Sequence, residues 1–245
     1  MTRSLTTTAF TGAYLSLVAV AALSMAIMAV VRFPGVASAR KRGDTGRPMG
    51  VIMRQPVFIV AAGGAALGYG VMNLLMAATP LAMHVYGMSF DNTALVLEWH
   101  VIGMFAPGFF TGHLIKRFGV LPVMGVGVLL NAACIAIALI GQDLMHFTAA
   151  LFVLGVGWNF LFTGSTTLSL QAYRPEEKDK AQASINFLTF ITMALSSFAS
   201  GALLTTQGWT WLNWGSLVPV ALTGLGLWWL AIRGLTNTIQ AINAK

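Results

Sequence analysis

Apolar residues fall in seven long runs separated by short polar breaks, at approximately Ala9 to Arg32, Pro56 to Thr79, Thr93 to Ile115, Val120 to Ile140, Phe147 to Leu170, Ala181 to Thr206 and Trp211 to Ile232. About 20 residues at 1.5 Å each cross a hydrocarbon core of about 30 Å, so every run is long enough to span. The breaks carry their own signals: Pro34 with Gly35, Pro48, Gly87 to Asn92, Gly119 with Pro122, Gln142 with Asp143, Arg174 to Lys180, and Gly208. No polar face recurs at helical spacing along the runs, as it does in soluble helices. The pattern predicts an all-α membrane protein of seven transmembrane helices. Ala37-Ser38-Ala39 resembles a cleavage site, but the apolar part before it, Ala9 to Val31, is 23 residues long. A signal core is roughly 7 to 15, and Arg40, Lys41 and Arg42 follow the run, so a retained spanning helix is expected.

The polar breaks also repeat. Thr111 to Gly119 and Ser200 to Gly208, 89 residues apart, share a small hydroxyl residue, Gly, an aliphatic pair and a final Gly. A second block aligns Asn73, in Val71 to Thr79, with Asn159, in Gly157 to Ser165, at an offset of 86. Chance similarity between Gly- and Ala-rich membrane helices is the alternative. The agreement of two separate blocks favours a repeat, with helices two to four and five to seven as related triplets inserted in opposite senses, because three is odd. The expected organisation is an N-terminal helix over 1–33, a basic linker over 34–55, a six-helix unit over 56–233 made of repeats 56–141 and 147–232, and a tail over 234–245.

Composition strengthens the membrane reading. Hydrophobic residues make up 57%, charged residues 9%, and mean hydropathy is +0.77, too little polar surface to cover a soluble globule. The net charge of +7 sits in loops rather than on one amphipathic face, which argues for placement by the bilayer and against nucleic acid. With the N-terminus outside, the inner loops and tail collect thirteen of fourteen Lys and Arg residues, leaving only Arg3 outside. Trp209, Trp211 and Trp214 are then expected at the outer interface, and Trp228 and Trp229 toward the inner one. Arg174 to Lys180 reads as a solvated inner loop. The single cysteine, Cys134, permits no intrachain disulfide.

Glu98 is the only acidic residue inside an expected span. A carboxylate there faces a cavity, a partner or a proton path; alternatively, about five residues from the outer end of its helix, it snorkels to the interface. His100 is no partner for it, since two residues on a helix turn through about 200°. Asn131 and Asn186 read as interhelical hydrogen-bonding residues, and His84, His113 and His146 as interfacial. Pro107 and Gly108 are expected to kink helix three. No Gly-Lys-Ser/Thr phosphate loop, His-Glu-x-x-His, paired carboxylate or metal-ligand cluster occurs, so neither an ATP-driven pump nor a membrane enzyme is expected, and no cofactor or metal. A seven-helix receptor or sensor is the alternative by span count; a retinal pigment needs a lysine within a helix, and none is present.

Gly112-His113-Leu114-Ile115-Lys116-Arg117-Phe118-Gly119 resembles the loop motif Gly-x-x-x-Asp-Arg-x-Gly-Arg of the major facilitator superfamily. Gly112, Arg117 and Gly119 are kept, while Lys116 replaces the acidic residue and Val120 the basic one, so the charge relay of the intact motif does not carry over. Trp99 to Pro107, Gly157 to Phe162 and Ala172 to Glu177 are similar to the same transporters. The resemblance implies helices six to twelve of a twelve-helix protein, that is, a six-helix half of two inverted triplets plus one extra helix, with Arg32 to Gln55 as the central cytoplasmic linker. It implies a multi-pass secondary transporter of a small organic solute in a plasma or bacterial cytoplasmic membrane, expected to be proton-coupled through Glu98. The absent half is supplied by a longer chain, a second chain or a second copy, the extra helix before a linker favouring the first. Helices two and five line the central cavity in that family, which puts Asn73 and Asn159 there with Tyr69 and Trp158 as aromatic neighbours; a hydrogen bond to a neighbouring helix is the alternative, and the commoner role of a single mid-span Asn.

Overall fold

The computed structural model describes residues 11–31 and 46–243, with side chains described up to residue 234. Every described regular element is helical: α1 (Thr11–Val30), α2 (Met49–Met53), α3 (Pro56–Val85), α4 (Phe90–Phe105), α5 (Gly108–Phe118), α6 (Val120–Ile140), α7 (Leu144–Ser169) and α8 (Lys178–Asn243), with a short 3₁₀ turn at Pro175–Glu177. Two compact units result: α1 belongs to one that ends at Asp44, and all other helices to one that begins at Thr45. Expectations for Arg3, Arg32, Arg40 to Arg42, Pro34 and Lys245 lie outside the described residues.

Among the described residues, six apolar helical stretches are long enough to cross a membrane, the last being the 60-residue Pro175–Gly234. It is not one rod: Gly208 sits at φ 81°, ψ 175°, outside the helical region, and divides α8 into a limb over 178–207 and another over 209–243. Gly119, 89 residues earlier, has φ 90°, ψ 162° and divides α5 from α6. This corner of backbone space is essentially glycine-only, because a Cβ collides with the adjoining peptide. The final glycines of the two sequence-repeat blocks thus make the same turn. Pro107 interrupts the α4–α5 stretch, removing one amide donor at the junction.

Helices α3 and α7 are the most buried of the spanning elements. The first limb of α8 lies against α3, whereas α4 lies against α7, and α6 covers α7 and the second limb of α8. Close approach needs small residues. A Cβ on Gly103 would stand 2.5 Å from the Phe152 carbonyl oxygen, and one on Gly155 would stand 2.6 Å from that of His100. Across α3 and the first limb of α8, Gly70 meets Thr192, and Thr192 lies 89 residues after Gly103. Of the tryptophans, Trp211, Trp214, Trp228 and Trp229 are exposed, but Trp209 turns inward, its Nε1 donating to the Ala138 carbonyl at 3.1 Å. An indole beside the Gly208 turn is carried under the end of α6, where its N–H finds an otherwise unused acceptor.

Candidate functional site

Near the middle of the second unit, four rings from three helices meet. Trp158 on α7 stacks on Phe162, one turn further along, with centroids 5.2 Å apart and planes at 9°. Tyr69 on α3 stands edge-on to both, at 5.4 and 5.8 Å, and Phe105 at the end of α4 approaches Trp158 at 6.4 Å. Offset and edge-to-face contacts place the electropositive edge of one ring on the face of another. Trp158 is buried, Tyr69 and Phe162 are half-buried, and Phe105 is 63% exposed, so the cluster opens to the surface on one side. The Trp158 Nε1 proton is buried without a hydrogen-bond partner. A buried unpaired donor costs about 1–3 kcal/mol, so the site retains an unmet demand for an acceptor.

The two repeat-related amides lie beside this cluster but point into helix contacts. Asn159 Nδ2 donates to the Met104 carbonyl at 2.8 Å, and its Oδ1 accepts from Thr111 Oγ1 at 2.7 Å. Asn73 Nδ2 donates to the Met193 carbonyl at 3.1 Å and lies 2.9 and 2.7 Å from the Ser196 and Ser197 hydroxyls. Met193 is 89 residues after Met104, the same spacing that separates the Gly119 and Gly208 turns. Asn131 is also buried, whereas Asn186 lies exposed on α8.

Glu98 and His100 occupy opposite sides of α4. His100 is fully buried and its Nδ1 donates to the Leu151 carbonyl on α7 at 2.7 Å. Val96, Gly103 and Met104 share that buried face, which leaves Glu98 exposed, directed away from α7.

The sequence profile of the Major Facilitator Superfamily matches residues 60–241. The chain belongs to that superfamily. Its members are transport proteins rather than enzymes, and the chain is a multi-pass integral membrane protein. It is similar to the riboflavin transporter RfnT of Brucella anthropi, with 42% identity over 214 residues, covering 87% of this chain and 54% of the relative. Two proteins of Bacillus subtilis described as uncharacterized MFS-type transporters also match: YddS at 26% over 79% of this chain and 46% of its own length, and YdeG at 32% over 59% and 33%. The chain therefore spans about half the length, or less, of these relatives.

The loop-motif residues Gly112, Lys116, Arg117 and Gly119 are all exposed at the end of α5, with the Arg117 guanidinium 5.2 Å above the Phe118 ring. The stretch Arg174 to Lys180 departs from the expected solvated loop, because Glu177 has no exposed side-chain surface. Arg47 grips it with Nε at 2.9 Å and Nη2 at 2.7 Å, while the amides of Arg47 and Arg174 donate to the same carboxylate at 2.7 and 2.9 Å. Gln55 and Arg47 both donate to the Ala172 carbonyl, at 2.8 and 3.0 Å, and Lys180 donates to that of Arg47. A side chain on Gly46, at φ 64°, would collide with the Glu177 stem. The Arg47 guanidinium holds the Glu177 carboxyl well below the usual carboxylate range. A depressed pKa adds stability above the unfolded value of about 4.3, lost as pH falls through the folded one. The described segment over 46–55 is thus fastened to the α7–α8 connection. Sequence alone held no signal for this pair, 130 residues apart, nor for Phe105 and Phe162 in the cluster.

Proposed function

We propose that this chain is the C-terminal half, with the preceding helix and linker, of a secondary active transporter, and that it takes up or expels a planar heterocycle of the riboflavin class. The observation that carries this reading is the four-ring cluster of Tyr69, Phe105, Trp158 and Phe162, in a chain 42% identical to a riboflavin transporter. A flavin ring system offers a flat face for stacking and carbonyl oxygens for the Trp158 N–H. Mid-bundle placement agrees with substrate sites near the bilayer midplane. The matched Gly119 and Gly208 turns, and the Asn159–Met104 and Asn73–Met193 bonds, support two inverted triplets, the six crossings of the second unit making seven with α1. Arg47, Arg54 and Arg174 outside the helices, with Lys178 and Lys180 in the first turn of α8, put basic residues on both the linker and the α7–α8 connection, which supports an internal linker and C-terminus.

The test is riboflavin binding by the intact transporter, read from quenching of flavin fluorescence. Trp158→Phe keeps an aromatic ring but removes the donor, so Kd rises about tenfold, the worth of one hydrogen bond of about 1.4 kcal/mol. An unchanged Kd, or no quenching by the unaltered protein, overturns the reading.

For coupling, we place the exchanged proton on Glu98. Its side chain leaves the six-helix unit on the face opposite the α4–α7 contact, and an unshielded intramembrane carboxylate needs a cavity, a partner or a proton. In proteoliposomes, Glu98→Gln is expected to abolish pH-gradient-driven movement with substrate Kd unchanged. A variant that keeps the parent pH dependence removes Glu98 from the mechanism.

A further inference from the structure

Two adjoining cavities lie along α6 and the second limb of α8, away from the aromatic cluster. The one at the linker end, about 690 Å³, is lined by Pro56, Gly119, Leu168, Gln171 and Arg233. The other, about 820 Å³, continues past Gly125, Leu129, Gly224 and Trp228. Leu121, Pro122 and Gly234 line both, so the two form one groove. Its ends differ in chemistry. At the linker end, Arg233 stacks its guanidinium 4.3 Å above the Trp229 ring, which occupies the face of the group and leaves its edge donors directed elsewhere. Gln171 lies in the same wall, and α6 starts there with no side-chain cap on the Val120 and Leu121 amides, at the positive end of the helix dipole. Lys116 and Arg117 lie three and two residues before Gly119. The far end is wholly apolar, and no acidic side chain lines either cavity among the described residues. From Leu121 to Leu129 the groove runs about 12 Å along α6, most of the roughly 15 Å depth of one leaflet.

We propose that this groove binds one anionic phospholipid, its phosphate against Arg233, Gln171 and the first turn of α6, and one acyl chain along Gly125 and Trp228. A soluble anion meets only the basic end, and leaves the apolar length without a ligand. A zwitterionic lipid carries its own cation to Arg233, where no carboxylate lines the wall to receive it. The anionic lipid alone satisfies both ends.

The test is native mass spectrometry of the intact protein in mild detergent, titrated with 1-palmitoyl-2-oleoyl phosphatidylglycerol, phosphatidylcholine with the same chains, and glycerol 3-phosphate. One phosphatidylglycerol is expected to bind about fivefold more tightly than phosphatidylcholine, the discrimination given by one surface cation. Arg233→Gln reduces that preference to parity. Gly125→Leu occupies the groove without backbone clash, since nothing lies within 4 Å of a Cβ there, and removes the tight site for both lipids. The proposal is overturned if the preference survives either substitution in folded protein. It is equally overturned if glycerol 3-phosphate binds as well as phosphatidylglycerol, or if a second copy of the chain displaces the lipid.

Discussion

Gly155→Val is expected to abolish accumulation of folded protein in the membrane, while Gly201→Ala leaves it unchanged or slightly raised. A Cβ on Gly155 meets three backbone atoms of α4: the His100 oxygen at 2.6 Å, the Met104 nitrogen at 2.8 Å and the Gly103 carbon at 2.9 Å. Backbone cannot rotate away as a side chain can, so the two helices must separate. Separation breaks what their contact holds: the His100–Leu151 bond, the Asn159–Met104 bond and the Phe105–Trp158 ring contact. Overpacking alone costs about 1–3 kcal/mol, and the severed interhelical bonds add to it. Gly201 also lies inside a helix, but nothing lies within 4 Å of its Cβ. There alanine brings only helix propensity, about 0.5–1 kcal/mol in favour of folding. Fluorescence-detected gel filtration of the two variants separates steric contact from any general intolerance of substitution; equal yields would refute the α4–α7 account.

The positions of the spans are legible in the chain because hydrocarbon imposes length and apolarity on any helix that crosses it. The turns at Gly119 and Gly208 are legible for a different reason. Their backbone geometry admits one residue type, so a recurring glycine at an 89-residue spacing carries structural information. Which way a mid-span side chain points is not legible in the same way. Lipid and protein interior are both apolar, so the hydropathy contrast that orients a soluble helix is missing along α3 and α7. Asn73 and Asn159 could therefore be assigned to the right helices and to equivalent places, while their direction, toward Met193 and Met104, came only with the packing. Glu98 and His100 were an exception, since the turn between them fixes opposite sides whatever surrounds the helix. Glu177 was obscured by its setting: a charged heptapeptide between spans resembles solvated loop, and the cation that balances its buried carboxylate, Arg47, is distant in the chain.

The direction of the two amides leads to a prediction that separates holding helices together from holding substrate. Asn159→Leu preserves volume but removes the donor to Met104 and the acceptor for Thr111, whose hydroxyl keeps its other bond to the Pro107 carbonyl at 2.7 Å. Interhelical bonds within membranes are worth about 0.6 kcal/mol on average and up to about 1.7 kcal/mol each. Losing two should cost roughly 1–3 kcal/mol, seen as a melting temperature in detergent lower by several degrees. Asn73→Leu strips the matching bonds to Met193, Ser196 and Ser197, and should give a loss of similar size. In both variants the Kd for the ligand proposed above should stay within about twofold, because each amide already donates to a carbonyl of a neighbouring helix. If instead either substitution raises Kd about tenfold, equivalent to roughly 1.4 kcal/mol of binding, with the melting temperature unmoved, that amide must turn from its helix partner to the substrate during transport. The contact between triplets would then be a bond that breaks in each cycle, and Thr111 and Ser197 would be the groups that receive the amide back.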